Sequence, residues 1–228
     1  MRQARVRAEV PGPRREFLLA TALEVFARRG FEAPTTEELA VACGCDRRTL
    51  YRYFPTKEDL FWEAAAQAYA GLAQRFTAAA QTWEDSMASA AGRVRSWAMT
   101  YLDFSLEHPN DFRVIMQARE RLVASVRQAP KPRTAKTAHA ASPMALHDRT
   151  VLQTLSGIGG LLESEGVCAR GTGETELWEV LGVIIGLIEF HARYRGGGAQ
   201  FPFGSPDGIR KLITKHVGLA IGPKGTRR

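Results

Sequence analysis

Apolar residues fall at helical spacing along most of this chain. From Arg14 to Arg29, Leu18, Ala22, Val25 and Phe26 share one face while Arg15, Glu24 and Arg28 lie elsewhere on the wheel, which predicts an amphipathic helix. Gly30 stops it, with Arg28 and Arg29 placed to suit the negative end of its dipole. Thr35 and Glu38 have the spacing of a capping box, predicting a short helix over about 36–43 with Leu39, Ala40 and Cys43 inward. Gly44 allows a tight turn, Asp46 caps a third helix containing residues 47–54, and Pro55 ends it. Thr56 with Asp59 then opens a fourth helix.

Beyond Lys57 no strand-like alternation occurs. Helices are predicted over about 57–77, 85–107, 112–128, 148–165, 174–195 and 207–220, with Pro109 and Asn110 as a break and loops at 130–143 and 196–206. The expected fold class is all-α: a three-helix N-terminal helix-turn-helix domain and a larger helical C-terminal domain for ligand binding and dimerisation. The expected divisions are a basic arm (1–13), the helix-turn-helix domain (14–60), the sensing and dimerisation domain (61–221) and a basic tail (222–228).

Composition narrows the class. With 228 residues and 45% hydrophobic content the chain can bury a sizeable core, and no apolar run reaches the roughly 20 residues of a membrane span. The first fifteen residues are basic and lack an apolar segment, so a cytoplasmic protein without a secretory signal or membrane partner is expected. The net charge of +7 suits an anionic partner. Cys43, Cys45 and Cys168 fit neither a disulfide framework nor a four-ligand zinc site, and Cys43 and Cys45 read as small packing groups. His108, His139, His147, His191 and His216 are scattered, and no phosphate loop, catalytic triad or ligand cluster can be assembled from spacing. No catalytic residue, metal or cofactor is expected, and the chain is not read as an enzyme.

Two short helices joined by a Gly-containing turn and braced by a longer one make a unit whose second helix can enter the DNA major groove. That helix carries Arg47, Arg48 and Arg52, with Lys57 just beyond, and the hydroxyls of Thr49, Tyr51 and Tyr53, all suited to phosphates or base edges. Phe54 reads as core, Tyr53 as core or phosphate contact, and Tyr51 as a DNA contact. A helical adaptor binding only proteins would leave this basic, hydroxyl-rich helix unexplained.

At Thr35-Thr36-Glu37-Glu38-Leu39-Ala40, Cys43-Gly44-Cys45-Asp46 and Thr49-Leu50-Tyr51-Arg52-Tyr53-Phe54-Pro55-Thr56-Lys57 the chain resembles the TetR family of bacterial repressors, over about residues 14–61. The resemblance implies a homodimer on double-stranded palindromic operator DNA, released by a small-molecule effector, with Thr35, Thr36, Arg47, Arg48, Thr49, Tyr51, Arg52, Tyr53 and Lys57 at the DNA. It also implies a dimer interface made by the last two helices. There are departures: Cys43 and Cys45 replace Ala and a branched aliphatic, Asp46 replaces a Ser or Thr cap, and Arg48 stands where a small residue is usual. Arg48 either reaches into the groove or alters the docking angle.

In the C-terminal region Met87, Ala91, Val94, Trp97, Ala98 and Tyr101 form one apolar stripe, and Phe112, Ile115, Met116, Leu122 and Val126 another. Trp97, Tyr101, Phe104 and Met116 either line a ligand cavity or fill the core. Arg119, on the second stripe, calls for a carboxylate such as Glu163 or Glu189, or for an anionic ligand group. The helix over 174–195 is apolar around most of its circumference, so it needs cover on two sides. Trp178, Gly182, Ile185 and Gly186, with Ile213 and Val217 of the last helix, are expected at a dimer interface. The helix opened by Thr56 is expected to act as a lever between ligand and DNA.

Overall fold

A computed structural model describes residues 13–85, 88–128, 151–194 and 205–221, and among these every regular element is helical. The helices are α1 (Pro13–Arg29), α2 (Thr36–Ala42), α3 (Arg47–Tyr53), α4 (Lys57–Asp85), α5 (Ala90–Glu107), α6 (Pro109–Gln128), α7 (Ile158–Ser164), α8 (Gly173–Arg193) and α9 (Pro206–Ile221). The all-α class is as expected. Among the described residues no helix is long and apolar enough to cross a membrane. The arm except Pro13, the tail, Met87, the 130–143 loop and most of the 196–206 loop lie outside the described residues.

The chain divides into two compact units, one running to Ala68 and resuming from Arg113 to Ala140, the other comprising Tyr69–Phe112 and the chain after Ala140. In the first, α1, α2 and α3 enclose Leu18, Ala22, Phe26, Leu39, Leu50 and Phe54, and Phe61 of α4 meets Phe26 edge to face at 5.2 Å. Burial of such side chains supplies about 1.5–3 kcal/mol each. In the second unit α5 packs on α7, α8 and α9, with Val94, Leu102, Leu181, Ile184, Ile188 and Ile209 buried. Glu165, at the C-terminal end of α7, accepts from the Ala90 backbone N–H (2.9 Å), and Ser89 Oγ from Gly92 N–H (3.2 Å), which together fix the start of α5.

Several boundaries differ from the sequence expectation. α4 continues to Asp85, past the expected end at 77, because its Ala-rich continuation contains no helix breaker; α5 accordingly starts at Ala90 rather than 85. Pro109 opens α6 instead of breaking a helix, since a first-turn position needs no N–H. The helix expected over 148–165 is interrupted: 151–153 is helical, a turn follows, and Gly157 at φ 82° precedes α7. α7 and α8 meet through glycines, for a Cβ on Gly173 would stand 2.1 Å from the Gly159 carbonyl oxygen.

Candidate nucleic-acid interface

The candidate reading head is held by three side-chain caps, those at Thr35 and Thr56 read from a three-residue spacing and that at Asp46 from its short acceptor side chain. Thr35 Oγ1 accepts from Glu38 N–H (3.2 Å) while Glu38 Oε2 accepts from Thr35 N–H (2.7 Å), completing the capping box. Asp46 Oδ1 accepts from Thr49 N–H (2.6 Å), and that backbone bond chiefly holds its carboxyl below the usual range. The Thr56 and Asp59 side chains exchange equivalent bonds at 3.0 Å, fixing the first turn of α4. Between α2 and α3 the backbone turns at Gly44, whose φ of 62° is the left-handed region.

On this frame Arg47, Arg48 and Arg52 are exposed, and Thr36, Thr49, Tyr51 and Tyr53 are half-buried. The Tyr51 phenol is pulled below its ordinary pKa, first by a hydrogen bond with Thr36 and then by Arg47, whose guanidinium lies 5.2 Å from the ring centre. Thr36, Arg47 and Tyr51 are therefore brought together. Arg47 also pairs with Glu37 (2.5 Å), and Arg52 lies over Tyr53 at 5.4 Å. Arg48 is exposed and Thr35 is committed to its cap. Phe54 is buried as expected, with Arg15 over its ring at 5.1 Å. Lys57 donates to the Glu32 carbonyl (3.0 Å) and lies over Phe31 at 4.6 Å.

Sequence reasoning missed Glu37 as the partner of Arg47, and it missed Gln117 and Arg121 of α6, which join this unit. Gln117 donates to the Phe26 carbonyl (3.0 Å), and Arg121 stacks 3.8 Å above Phe31 and pairs with Glu32 (2.7 Å). The spacing of the first pair was visible only after α2 and α3 were placed. The second contact spans too many residues for any local signal. Cys43 is buried, its thiol near the Leu18 carbonyl (3.6 Å) and its pKa pushed up to about 11 by burial first and Cys45 second. Such a thiol packs. Among the described residues no three His, Cys, Asp or Glu side chains converge as metal ligands.

In the second unit Trp97 stacks on Phe76 (4.8 Å) and Tyr101 (5.5 Å), and Tyr101 meets Phe112 edge to face (5.2 Å). Trp97 is buried and its Nε1 has no hydrogen-bond partner among the described residues. Phe104 stacks instead on His108 (5.1 Å). Met116 and Arg119 are half-buried and belong to the first unit. Glu163, weighed as a partner for Arg119, accepts from Gly173 N–H (3.0 Å).

Along α8 an exposed stripe at four-residue spacing runs through Trp178, Gly182, Gly186, Phe190 and Tyr194, with the last two rings 4.5 Å apart. Ile185 beside it is half-buried. Ile213 and Val217 correct the expectation, since both are buried within the protomer, where α9 packs on α5 and α8. Their amphipathic face announced burial but not against what. Leu219 is the exposed apolar residue of α9.

Residues 18–64 match the model of the tetR family of bacterial regulatory proteins. The nucleoid occlusion factor SlmA of Haemophilus influenzae is 31% identical over 103 residues, and the chain spans 45% of that protein's length. Over 92% of the chain the fold is similar to the whole of AibR, solved with isovaleryl coenzyme A and operator DNA (TM-score 0.63, 14% identity). It is similarly close to 99% of PfmR from Thermus thermophilus (TM-score 0.62, 18% identity, 92% of this chain).

Proposed function

We infer that this chain, which belongs to the TetR family of bacterial regulatory proteins by its N-terminal domain, is a DNA-binding transcriptional regulator: a homodimeric repressor released from a palindromic operator by a small-molecule effector. The observation that carries the reading is the capped α3, which presents Arg47, Arg48 and Arg52 to solvent with the Tyr51 phenol beside the Arg47 guanidinium. Cations supply affinity for phosphates, and hydroxyls and Arg forks supply base-edge contacts. Tyr53 and Thr49 border that surface. AibR, which is similar in fold, was solved on operator DNA with a ligand, which supports the same division of labour here.

Self-association is proposed through the α8 stripe, because an exposed row of aromatics around small residues suits close helix packing across a two-fold axis. The effector is proposed to act at the aromatic cluster of Phe76, Trp97 and Tyr101, where Trp97 Nε1 offers a buried donor. α4 holds both Phe76 and Lys57, so a tilt of this helix would alter the DNA contact. The functional division we propose is a 14–60 reading head and a 61–221 sensing and dimerisation region.

The test is a gel-shift titration of the full chain against the promoter region beside its own gene. Wild type should bind with a steep salt dependence, and Tyr51→Ala should bind more weakly without losing its fold. No binding to any duplex by folded wild type would end the DNA-binding reading. Effectors found by release should bind less tightly when operator is saturating, by the same factor that they weaken DNA.

A further inference from the structure

Two cations share one platform beside the candidate DNA surface. Arg121 lies 3.8 Å above the Phe31 ring centre, and Lys57 Nζ lies 4.6 Å from it. The Arg121 guanidinium also reaches two carboxylates, Glu32 (2.7 Å) and Glu58 (3.7 Å). Lys57 instead takes the neutral Glu32 carbonyl (3.0 Å). One turn before Arg121, Gln117 donates to the Phe26 carbonyl at the end of α1, so this face of α6 is anchored where α1 stops.

We infer that Arg121 is a positioning residue for DNA binding, occupying the Glu32 and Glu58 carboxylates so that the Lys57 ammonium stays available to a phosphate. The inference rests on the DNA-binding reading and on Lys57 as a phosphate contact. A lysine ammonium is a point charge on a flexible stem and goes to the strongest acceptor in reach; an arginine fork stacked on a ring is pre-organised. The Glu32 and Glu58 side chains are 83% and 58% exposed. Without Arg121 they would compete with the DNA backbone for Lys57. With it, Lys57 donates to a neutral carbonyl, and a phosphate displaces that because its formal negative charge adds an attraction to the ammonium that the carbonyl lacks.

The experiment measures binding of the full chain to its promoter fragment and to a non-specific duplex over a range of salt, for wild type, R121M, K57A, R121M/K57A and R121M/E32Q/E58Q. Met keeps an apolar stem on Phe31, and thermal melting confirms that each variant is folded; R121K, which keeps the charge, provides a second probe. R121M should weaken binding about three- to tenfold and lower the salt slope by about one, as K57A does. The double variant should match K57A alone, R121K should retain most of the affinity, and E32Q/E58Q should rescue R121M. A slope loss of about two in the double variant would overturn the inference by making Arg121 a phosphate contact itself. Unchanged binding by R121M, or no rescue by the glutamines, would also overturn it. Failure of wild type to bind either duplex would be distinct, because it removes the DNA-binding reading as a whole.

Discussion

Replacing Gly186 by arginine should leave the protomer intact and break its self-association, two effects of opposite sign. A Cβ at this position meets nothing within 4 Å, so the substitution fits the protomer, and removing a glycine from a helix interior should stabilise α8 by about 0.5–1 kcal/mol. In the assembly proposed, Gly186 sits in the row formed by Trp178, Phe190 and Tyr194, which are 49%, 45% and 58% exposed. Closing that row over an arginine desolvates a guanidinium without a carboxylate partner. The effective cost is several kcal/mol per ion, and two-fold symmetry counts it twice. Even about 2 kcal/mol per protomer totals about 4 kcal/mol, close to a thousandfold in Kd. Sedimentation equilibrium and thermal melting over the same concentration series separate the two effects. Wild-type Tm should climb with concentration, whereas G186R should sediment as a monomer whose Tm is independent of concentration and, at the lowest concentration, no lower than wild type. A variant that still dimerises would place the interface elsewhere. A monomer that melts far below dilute wild type would mean that Gly186 serves the protomer.

Other expectations concern the protomer. Gly173→Ala would put a Cβ 2.1 Å from the Gly159 oxygen, forcing α7 and α8 apart; overpacking of this kind costs about 1–3 kcal/mol, and Tm should fall by about 2–4 °C per kcal/mol, so a melting point within a degree of wild type would show that the crossing relaxes freely. Burial pushes the Asp111 carboxyl up against the opposing pull of His108, so the folded state binds this proton more tightly than the unfolded chain and stability is lost as pH rises from 3.8 through the folded pKa. Asp111→Asn should therefore raise the urea midpoint at neutral pH, with the gain vanishing below 3.8; a lower midpoint at neutral pH would contradict burial as the dominant cause. Cys43, its thiol pushed up to about 11, should resist iodoacetamide near pH 8 in the folded protein and react once unfolded in urea, and equal labelling in both states would show that the site opens readily.

The candidate reading head was legible because its determinants are local. Thr35 with Glu38, Asp46 with Thr49, and Thr56 with Asp59 are all side chains meeting backbone N–H groups within one turn, so the spacing in the sequence is the geometry in the fold. Gly44 and the inward Leu39, Ala40 and Leu50 follow from the same short-range rules. Helix ends were less legible, because a stop is written only where a residue forbids continuation. Nothing forbids it in the alanine-rich run of α4, and Pro109, which could end one helix or begin the next, begins α6.

What the tertiary structure alone decided is which surface covers which. The stripe holding Ile213 and Val217 announces burial in any sequence reading, yet whether α5 and α8 or a second subunit provides the cover depends on how distant segments pack. The same holds for Gln117 and Arg121, two positions one turn apart on α6 whose partners lie at the end of α1 and in the loop after it. Hydrophobic burial is non-directional and does not name its partner. Hydrogen-bond caps do name theirs, which is why the chain announced the short helices of its candidate reading head and kept the setting of Lys57 for the fold.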